Sequence, residues 1–319
     1  MRIVIAVDGN ALLGCDERSD TAGLLAHVRS AAIALAPIVR EHEVVICLGD
    51  GPQVGPLERE SSSHAELVRP YPLDAVGAQS QGMIGYWLSQ ALRNAGIVKP
   101  IVNLTTQVLV DPDDVAFSDP TTFVGAVYTE SDARSAVDEH GWSIAPDGTG
   151  WRRTVPSPSP IRVIEQDSIT GLVHAGSIVI CGGGAPVVEA ASGQLDGVDA
   201  VIDKDLTATL IALDCAADRL LILTDVPAVV DHFGTAQAEP LGTVYVDELD
   251  PAAFAAGSMS PKVQACSTFA WASGHSASVG ALDDAQNVLG GISGTRILDR
   301  RADDIAAGRR AIRATREHR

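Results

Sequence analysis

Short apolar runs alternate with longer helix-like stretches along most of the chain. The strand-like runs are bounded by Gly, Asp or Thr and lie at residues 3–7, 44–48, 100–104, 177–181 and 220–224. Segments rich in Ala and Leu lie between them, for example at 24–40 and 208–217. Strands that alternate with helices favour βαβ units and a mostly parallel sheet covered on both faces.

The stretch from 112 to 160 breaks this alternation. It is polar, rich in Pro, Gly, Thr and Asp, and holds two tryptophans, Trp142 and Trp151. We therefore predict that a small flap subdomain leaves the sheet at about residues 118–160. After residue 299 the composition changes again, because residues 300–319 carry seven arginines and form a basic tail.

Composition narrows the classes of protein. The chain of 319 residues is 46% apolar, which predicts a globular fold, and its net charge of −18 argues against a nucleic-acid partner. We expect neither a membrane span nor a signal peptide, because no apolar run approaches the roughly 20 residues that a span requires. Five cysteines without a CxxC pair favour a reduced, cytoplasmic protein.

Lysine is rare among the basic residues. Of 23 Lys and Arg residues, only Lys99, Lys204 and Lys262 are lysine. A compact ammonium suits phosphate oxygens, although a replaceable surface lysine is the alternative for each position. We expect Lys99 to be structural.

Several familiar sites are missing from the sequence. There is no Walker A loop, no G-x-S-x-G elbow and no metal-ligand cluster among the eight histidines, and Gly49-Asp50-Gly51 does not complete a dinucleotide fingerprint. Instead, small-residue breaks occur at strand ends; they lie at 8–11, 49–55, 182–186 and 257–262. Each could be a simple turn, but such loops at the ends of parallel strands converge on one crevice.

With these motifs in order, the chain resembles the carbamate kinases of the amino-acid-kinase family. The resemblance covers residues 1 to about 298 and rests on the runs GNALL, GPQVG, QGMIGYWL, GWRRTVPSPSP, CGGGAPVV, GVDAVIDKD, LLILTDV and GSMSPK. It implies a three-layer αβα sandwich with an acceptor lobe at 1–195 and a nucleotide lobe at 196–299. It also implies Mg²⁺-dependent, reversible phosphoryl transfer between carbamoyl phosphate and ADP, by a homodimer.

The resemblance also assigns roles to residues. The residues that it places at the transferring phosphate are Lys204, Asp203, Asp205 and Lys262. Those that it places around the acceptor are Asp8, Gly9, Asn10, Gly49, Asp50, Gly51, Gly182, Gly183 and Gly184. Those that it places at the nucleotide are Thr224, Asp225, Val226, Met259 and Lys262. Mg²⁺ is expected with ATP or ADP, and no separate metal site is expected.

The chain departs from the family pattern near the acceptor. Asp8 and Asp50 replace a Gly and an Asn, Leu48 replaces a His, and Thr122 and Thr149 replace a Lys and an Arg. Asp8, Asp50 and Thr122 together make the acceptor end about three charges more negative than the family pattern.

These departures leave three interpretations open. The protein is a carbamate kinase, a kinase of another acceptor that carries an amine, amidine or guanidine, or a nucleotide-binding regulator without turnover, in which the basic tail could dock a partner. Under the first interpretation, Asp8 would point away from the site and pair with Arg152 or Arg153.

Overall fold

The structure is a computed structural model that describes residues 1–13, 21–49, 51–63, 70–255 and 257–301. Its strands are β1 (Arg2–Val7), β2 (Glu43–Leu48), β3 (Ile101–Leu104), β4 (Gln107–Val110), β5 (Thr122–Tyr128), β6 (Ser143–Asp147), β7 (Gly150–Val155), β8 (Pro160–Val163), β9 (Ile178–Gly182), β10 (Ala185–Glu189), β11 (Leu195–Gly197), β12 (Arg219–Thr224), β13 (Val230–Asp231), β14 (Glu239–Pro240), β15 (Thr243–Tyr245), β16 (Ala277–Ala281) and β17 (Thr295–Leu298).

The helices follow the same order. They are α1 (Gly9–Leu13), α2 (Thr21–Glu41), α3 (Gly51–Ser63), α4 (Leu73–Asn94), α5 (Glu130–His140), α6 (Gln166–His174), α7 (Lys204–Asp214), α8 (Met259–Ser273) and α9 (Ala285–Gly290).

One large sheet forms the middle layer, in the order β15-β17-β16-β12-β1-β2-β9-β3. The strands from β16 to β3 in this order are parallel to one another, whereas β17 is antiparallel to β16 and parallel to β15. Because side chains alternate along a strand, Ile3 and Ile5 pack under α2 and α4 while Val4 and Ala6 face α7 and α8. The predicted three-layer αβα fold with a mostly parallel sheet is confirmed.

Two further sheets lie outside the central one. Strands β11, β10, β4 and β8 form a mixed four-stranded sheet, and β5, β7 and β6 form an antiparallel sheet that α5 accompanies. The second group falls inside the stretch predicted to be a flap. The proposed lobe boundary at 195/196 lies within β11, while the central sheet takes its strands from 2–182 and 219–298.

Helix α2 requires a correction to the composition argument. It has 21 residues, and a window of 18 of them has a mean hydropathy of 1.6, so it is long and apolar enough to cross a membrane by length and composition. Its apolar side instead packs in the core with Val28, Leu35 and Val39. Lys99 Nζ donates to the carbonyls of Val39, in the last turn of this helix, and of His42 just after it, a structural contact of the kind expected for that lysine.

The predicted basic tail lies outside the described residues from 302 onwards. Within the described part, Arg300 pairs with Asp247 and Glu248, and Arg301 pairs with Asp299. Of the five cysteines, Cys15 lies outside the described residues, and Cys47, Cys181, Cys215 and Cys266 are free and buried.

Candidate functional site

Four adjacent strands of the central sheet bring predicted site residues to one edge. Asp8 follows β1, Gly49 follows β2, Gly183 follows β9 and Thr224 ends β12. These strands are neighbours and parallel, so their carboxyl ends lie side by side. The carboxyl edge of an open parallel sheet is where such folds bind ligands.

The Lys204 side chain passes between two of these glycines. A Cβ built on Gly49 would lie 2.6 Å from Lys204 Cδ, and one on Gly183 would lie 3.0 Å from Lys204 Cβ. Any larger residue at Gly49 would also press on the backbone nitrogen of Gly9, at 2.8 Å. The glycines therefore leave room for the lysine to reach the sheet edge.

Asp205 holds both lysines of this region. Its side chain is 1% exposed, and its two oxygens lie 3.1 Å from Lys204 Nζ and 3.0 Å from Lys262 Nζ. Lys204 and Asp205 open α7, and Lys262 lies in the first turns of α8. Burial alone would lower the pKa of Lys262, but the carboxylates of Asp205 and Asp8 raise it above its ordinary value.

Asp8 completes the group from the other side. Its Oδ2 lies 2.7 Å from Lys262 Nζ and 3.8 Å from Lys204 Nζ, and its side chain is 20% exposed. Burial alone would raise the pKa of this carboxyl, but the two ammonium groups lower it from 3.8 to about 2. Asp8 is therefore ionised at neutral pH and paired with both site lysines.

This pairing contradicts the expectation that Asp8 would pair with Arg152 or Arg153. Arg152 binds Asp147 at 2.7 Å, and Arg153 binds Glu58 and Asp199. Asp8 thus points into the lysine group rather than away from it, and both arginines pair with other carboxylates.

The remaining acceptor-loop residues have different surroundings. Asn10 is exposed and its backbone N–H donates to Asp8, whereas Gly51 is exposed with open space around it. Asp50 lies outside the described residues. In the third loop, a Cβ on Gly182 would meet Gln81, and Gly184 has a φ of +100° and packs on Val108.

Asp203 caps the helix that carries Lys204. Its Oδ1 accepts from the backbone N–H groups of Asp205 at 2.8 Å and Leu206 at 3.4 Å. A side chain that accepts these bonds fixes the start of α7 and so the direction in which the lysine leaves it. Burial and the neighbouring Asp205 raise the pKa of Asp203.

The residues predicted at the nucleotide lie at the end of β12 and at the start of α8, and a cavity begins one residue after Val226. Thr224 Oγ1 lies 3.2 Å from Asp8 Oδ2 and 3.1 Å from Asp225 Oδ1, which joins this strand end to the lysine group. Beyond Val226, a cavity of about 550 Å³ is lined mainly by small and apolar residues; they include Pro227, Ala228, Leu241, Gly242 and Ala281, with Asp283 and Asp284 beside them. Met259 begins α8 and packs against the core on that side.

Three buried polar residues around Gly182 and Gly183 were not identified from the sequence. Thr207 Oγ1 donates to the carbonyl of Gly183 at 2.7 Å, and Gln81 exchanges hydrogen bonds with Thr106 below Gly182. All three side chains are buried. A buried polar residue on an apolar helix face, such as Gln81 in α4, is the signal that could have indicated this role.

A resident metal site is not evident in the described part of the chain. No group of three or more His, Cys, Asp or Glu side chains there could hold an ion together.

Another cavity of about 410 Å³ lies at the opposite edge of the sheet, where Lys99 and Arg2 already have partners.

Comparison with known proteins gives a consistent result. A profile of the amino acid kinase family matches residues 1–280. The carbamate kinase of Haemophilus influenzae is 42% identical over 300 residues, which cover 93% of this chain and 96% of that protein. The carbamate kinase of Escherichia coli K12 is 40% identical over 297 residues, covering 92% and 98%.

Solved structures agree with the sequence relatives. The carbamate kinase of Giardia lamblia bound to AMP-PNP superposes with a TM-score of 0.84 at 37% identity, covering 93% of this chain and 98% of that one. A protein of Aeropyrum pernix K1 superposes with a TM-score of 0.88 at 34% identity, covering 94% and 100%.

Proposed function

This chain belongs to the amino acid kinase family, and from that premise we propose that it transfers a phosphoryl group reversibly between carbamoyl phosphate and ADP, giving ATP and carbamate. Its similarity to carbamate kinases over nearly its whole length supports a phosphotransferase of that kind. The observation that carries the proposal is the convergence of Lys204 and Lys262 on Asp205, at the carboxyl edge of the sheet beside Gly49 and Gly183.

The proposed chemistry needs charge and position more than covalent help. A phosphoryl group in flight spreads negative charge over its oxygens, and fixed cations stabilise that charge without reorganising. We assign this work to Lys204 on the acceptor side and Lys262 on the nucleotide side. Asp205 positions both, because it is buried and contacts each ammonium within hydrogen-bond distance.

We place the nucleoside beyond the end of β12. The cavity after Val226 is of a size that holds a base and sugar. Its lining begins at Pro227, three residues after Thr224, whose hydroxyl lies 3.2 Å from Asp8 Oδ2. The nucleotide enters as its Mg²⁺ complex, so the ion is carried by phosphate oxygens and neutralises part of their charge.

This geometry weakens the argument for an acceptor other than carbamate. An acceptor with an amine, amidine or guanidine would suit the negative charge that Asp8 and Asp50 add. The charge of Asp8 is balanced by Lys262 and Lys204, and Asp50 lies outside the described residues. A regulator without turnover would not need the buried contacts that hold both lysines. We therefore prefer carbamate as the acceptor, and we infer a homodimer that works in the cytoplasm.

The direct test is ATP formation by the purified chain from Mg·ADP and carbamoyl phosphate. Lys204→Ala should lower kcat at least about 100-fold, since it removes a cation that contacts the moving charge. Lys99→Ala is the matched control, because that lysine binds carbonyls at the end of α2, at the far edge of the sheet.

Two outcomes would count against the proposal. A folded wild-type chain that binds Mg·ADP but forms no ATP would redirect the search to other acceptors. Equal loss of kcat in Lys204→Ala and Lys99→Ala, with folding checked by circular dichroism, would mean that Lys204 has no special role.

A further inference from the structure

The Asp8 carboxylate is surrounded by hydrogen-bond donors and cations. Lys262 Nζ approaches to 2.7 Å and Lys204 Nζ to 3.8 Å, the hydroxyl of Thr224 lies 3.2 Å away, and the backbone N–H of Asn10 also donates to it. These groups come from β12, α7, α8 and the chain after β1. An anion placed there would meet the same groups.

The site therefore already contains an anion before any substrate enters. Asp8 stays ionised at working pH, because the two ammonium groups outweigh its burial and bring its pKa down to about 2. It is attached to the chain, so it spends no translational freedom when it contacts the lysines. A free ligand must therefore interact with the two lysines more strongly than this attached carboxylate does.

Resting on the proposed phosphoryl transfer, we propose that Asp8 is a specificity-determining residue: its carboxylate occupies the anion position between Lys204 and Lys262 and yields it to dianionic phosphoryl groups but not to monoanions.

Charge and oxygen count decide which ligands displace Asp8. A terminal phosphoryl group brings about two negative charges and three acceptor oxygens, so it attracts two ammonium groups more strongly than one carboxylate does. A monoanion such as acetate offers no more than Asp8 itself and loses its freedom on binding. The donors at Thr224 and Asn10 stay available to Asp8 after the lysines turn to the ligand.

The experiment measures binding of Mg·AMP-PNP to the full-length chain by calorimetry, with and without added acetate. The variants are Asp8→Asn, which keeps the shape of the side chain, and Asp138→Asn, which removes one negative charge from an exposed position on α5. Asp8→Asn should bind AMP-PNP at least about tenfold more tightly than the wild type, because a competing charge near 4 Å is removed. Asp138→Asn should bind like the wild type.

Added acetate should then distinguish Asp8→Asn from the wild type. We expect it to weaken AMP-PNP binding by Asp8→Asn severalfold and to leave the wild type unchanged, since only the variant exposes the lysine pair to monoanions. The double variant Asp8→Asn with Lys262→Ala should lose the gain in affinity. That loss would show that the tighter binding by Asp8→Asn comes from removing a competitor for Lys262, and not from a general change in the electrostatic field of the site.

Equal or weaker AMP-PNP binding by Asp8→Asn would overturn the inference, as would equal competition by acetate in both chains. Failure of the proposed function is distinguishable, because it would appear as absent ATP formation in a wild type that still binds AMP-PNP. Absence of binding in every variant would overturn both.

Discussion

Asp8, Asp205, Lys204 and Lys262 form a group in which each carboxylate contacts both ammonium ions. The sequence and its family resemblance placed Asp205 and both lysines together, and they placed Asp8 near the acceptor. They did not place Asp8 between the lysines, because that contact depends on how far α8 reaches over the end of β1. Side-chain pairing across strand ends is set by packing, which no local pattern records.

At this scale, Asp8 predicts how stability depends on acidity. Its pKa is lowered on folding from 3.8 to about 2, so its contribution is complete above pH 3.8 and is lost as the pH falls towards 2. We expect the wild type to lose about 2 kcal/mol from this group over that interval. Asp8→Asn should lack this component.

Urea unfolding of both chains across this range would check the prediction. The difference between the two free energies of unfolding should shrink as the pH falls. A difference that stays constant would show that the lysines do not hold the Asp8 carboxylate in solution.

At the scale of elements, Arg153 on β7 connects the predicted flap to residues outside it. It binds Glu58 on α3 and Asp199 in the segment that leads to α7, and it lies 4.9 Å from the ring of Trp142. Burial raises the pKa of Glu58, although the guanidinium acts in the opposite direction. The flap is thus connected to the helix after the Gly49 loop and to the segment that precedes Lys204.

We expect Arg153→Ala to release the flap. The change leaves Glu58 buried without its partner, which typically costs about 3–5 kcal/mol. Limited proteolysis followed by mass spectrometry should show new cleavage within residues 122–155. Arg152→Ala is the matched control, since Arg152 pairs with Asp147 inside the flap and is 32% exposed, so about 0–1 kcal/mol is expected. Equal protection in both variants would contradict this connection.

Most strands of the central sheet were predictable from the sequence, whereas those of the two outer sheets were not. The apolar runs at 44–48 and 220–224 became β2 and β12 with bounds that differ by one residue at the start. The strands of the flap could not be predicted individually, because β5 and β6 are mostly half-exposed or exposed and lie in a polar stretch of the chain. Their pairing also depends on β7 lying between them. The sheet of β11, β10, β4 and β8 was missed for a different reason: β4 and β10 carry buried apolar residues, but all four strands are only three to five residues long.

At the scale of the whole molecule, the layer of α2 and α4 presents large apolar side chains to solvent. Ile33 on α2 is 68% exposed and Tyr86 on α4 is 56% exposed. Exposed apolar groups on neighbouring helices of one layer are a common basis for association. We propose that the inferred homodimer forms through this layer, and light scattering of the wild type should then give twice the mass of the 33.2 kDa chain.

Ile33→Glu should shift that dimer to the monomer, because the new charge would be buried without a partner. Val98→Glu is the control, since Val98 is 91% exposed in the loop before β3. A dimer that survives Ile33→Glu would place the interface elsewhere.

The position of β1 also affects how the protein is made. Of the strands that the structure describes it is the earliest in the chain, yet it lies in the middle of the sheet between β2 and β12. One side of β1 therefore stays unpaired until synthesis has passed residue 224. For most of translation the nascent chain exposes an apolar strand edge that favours intermolecular pairing.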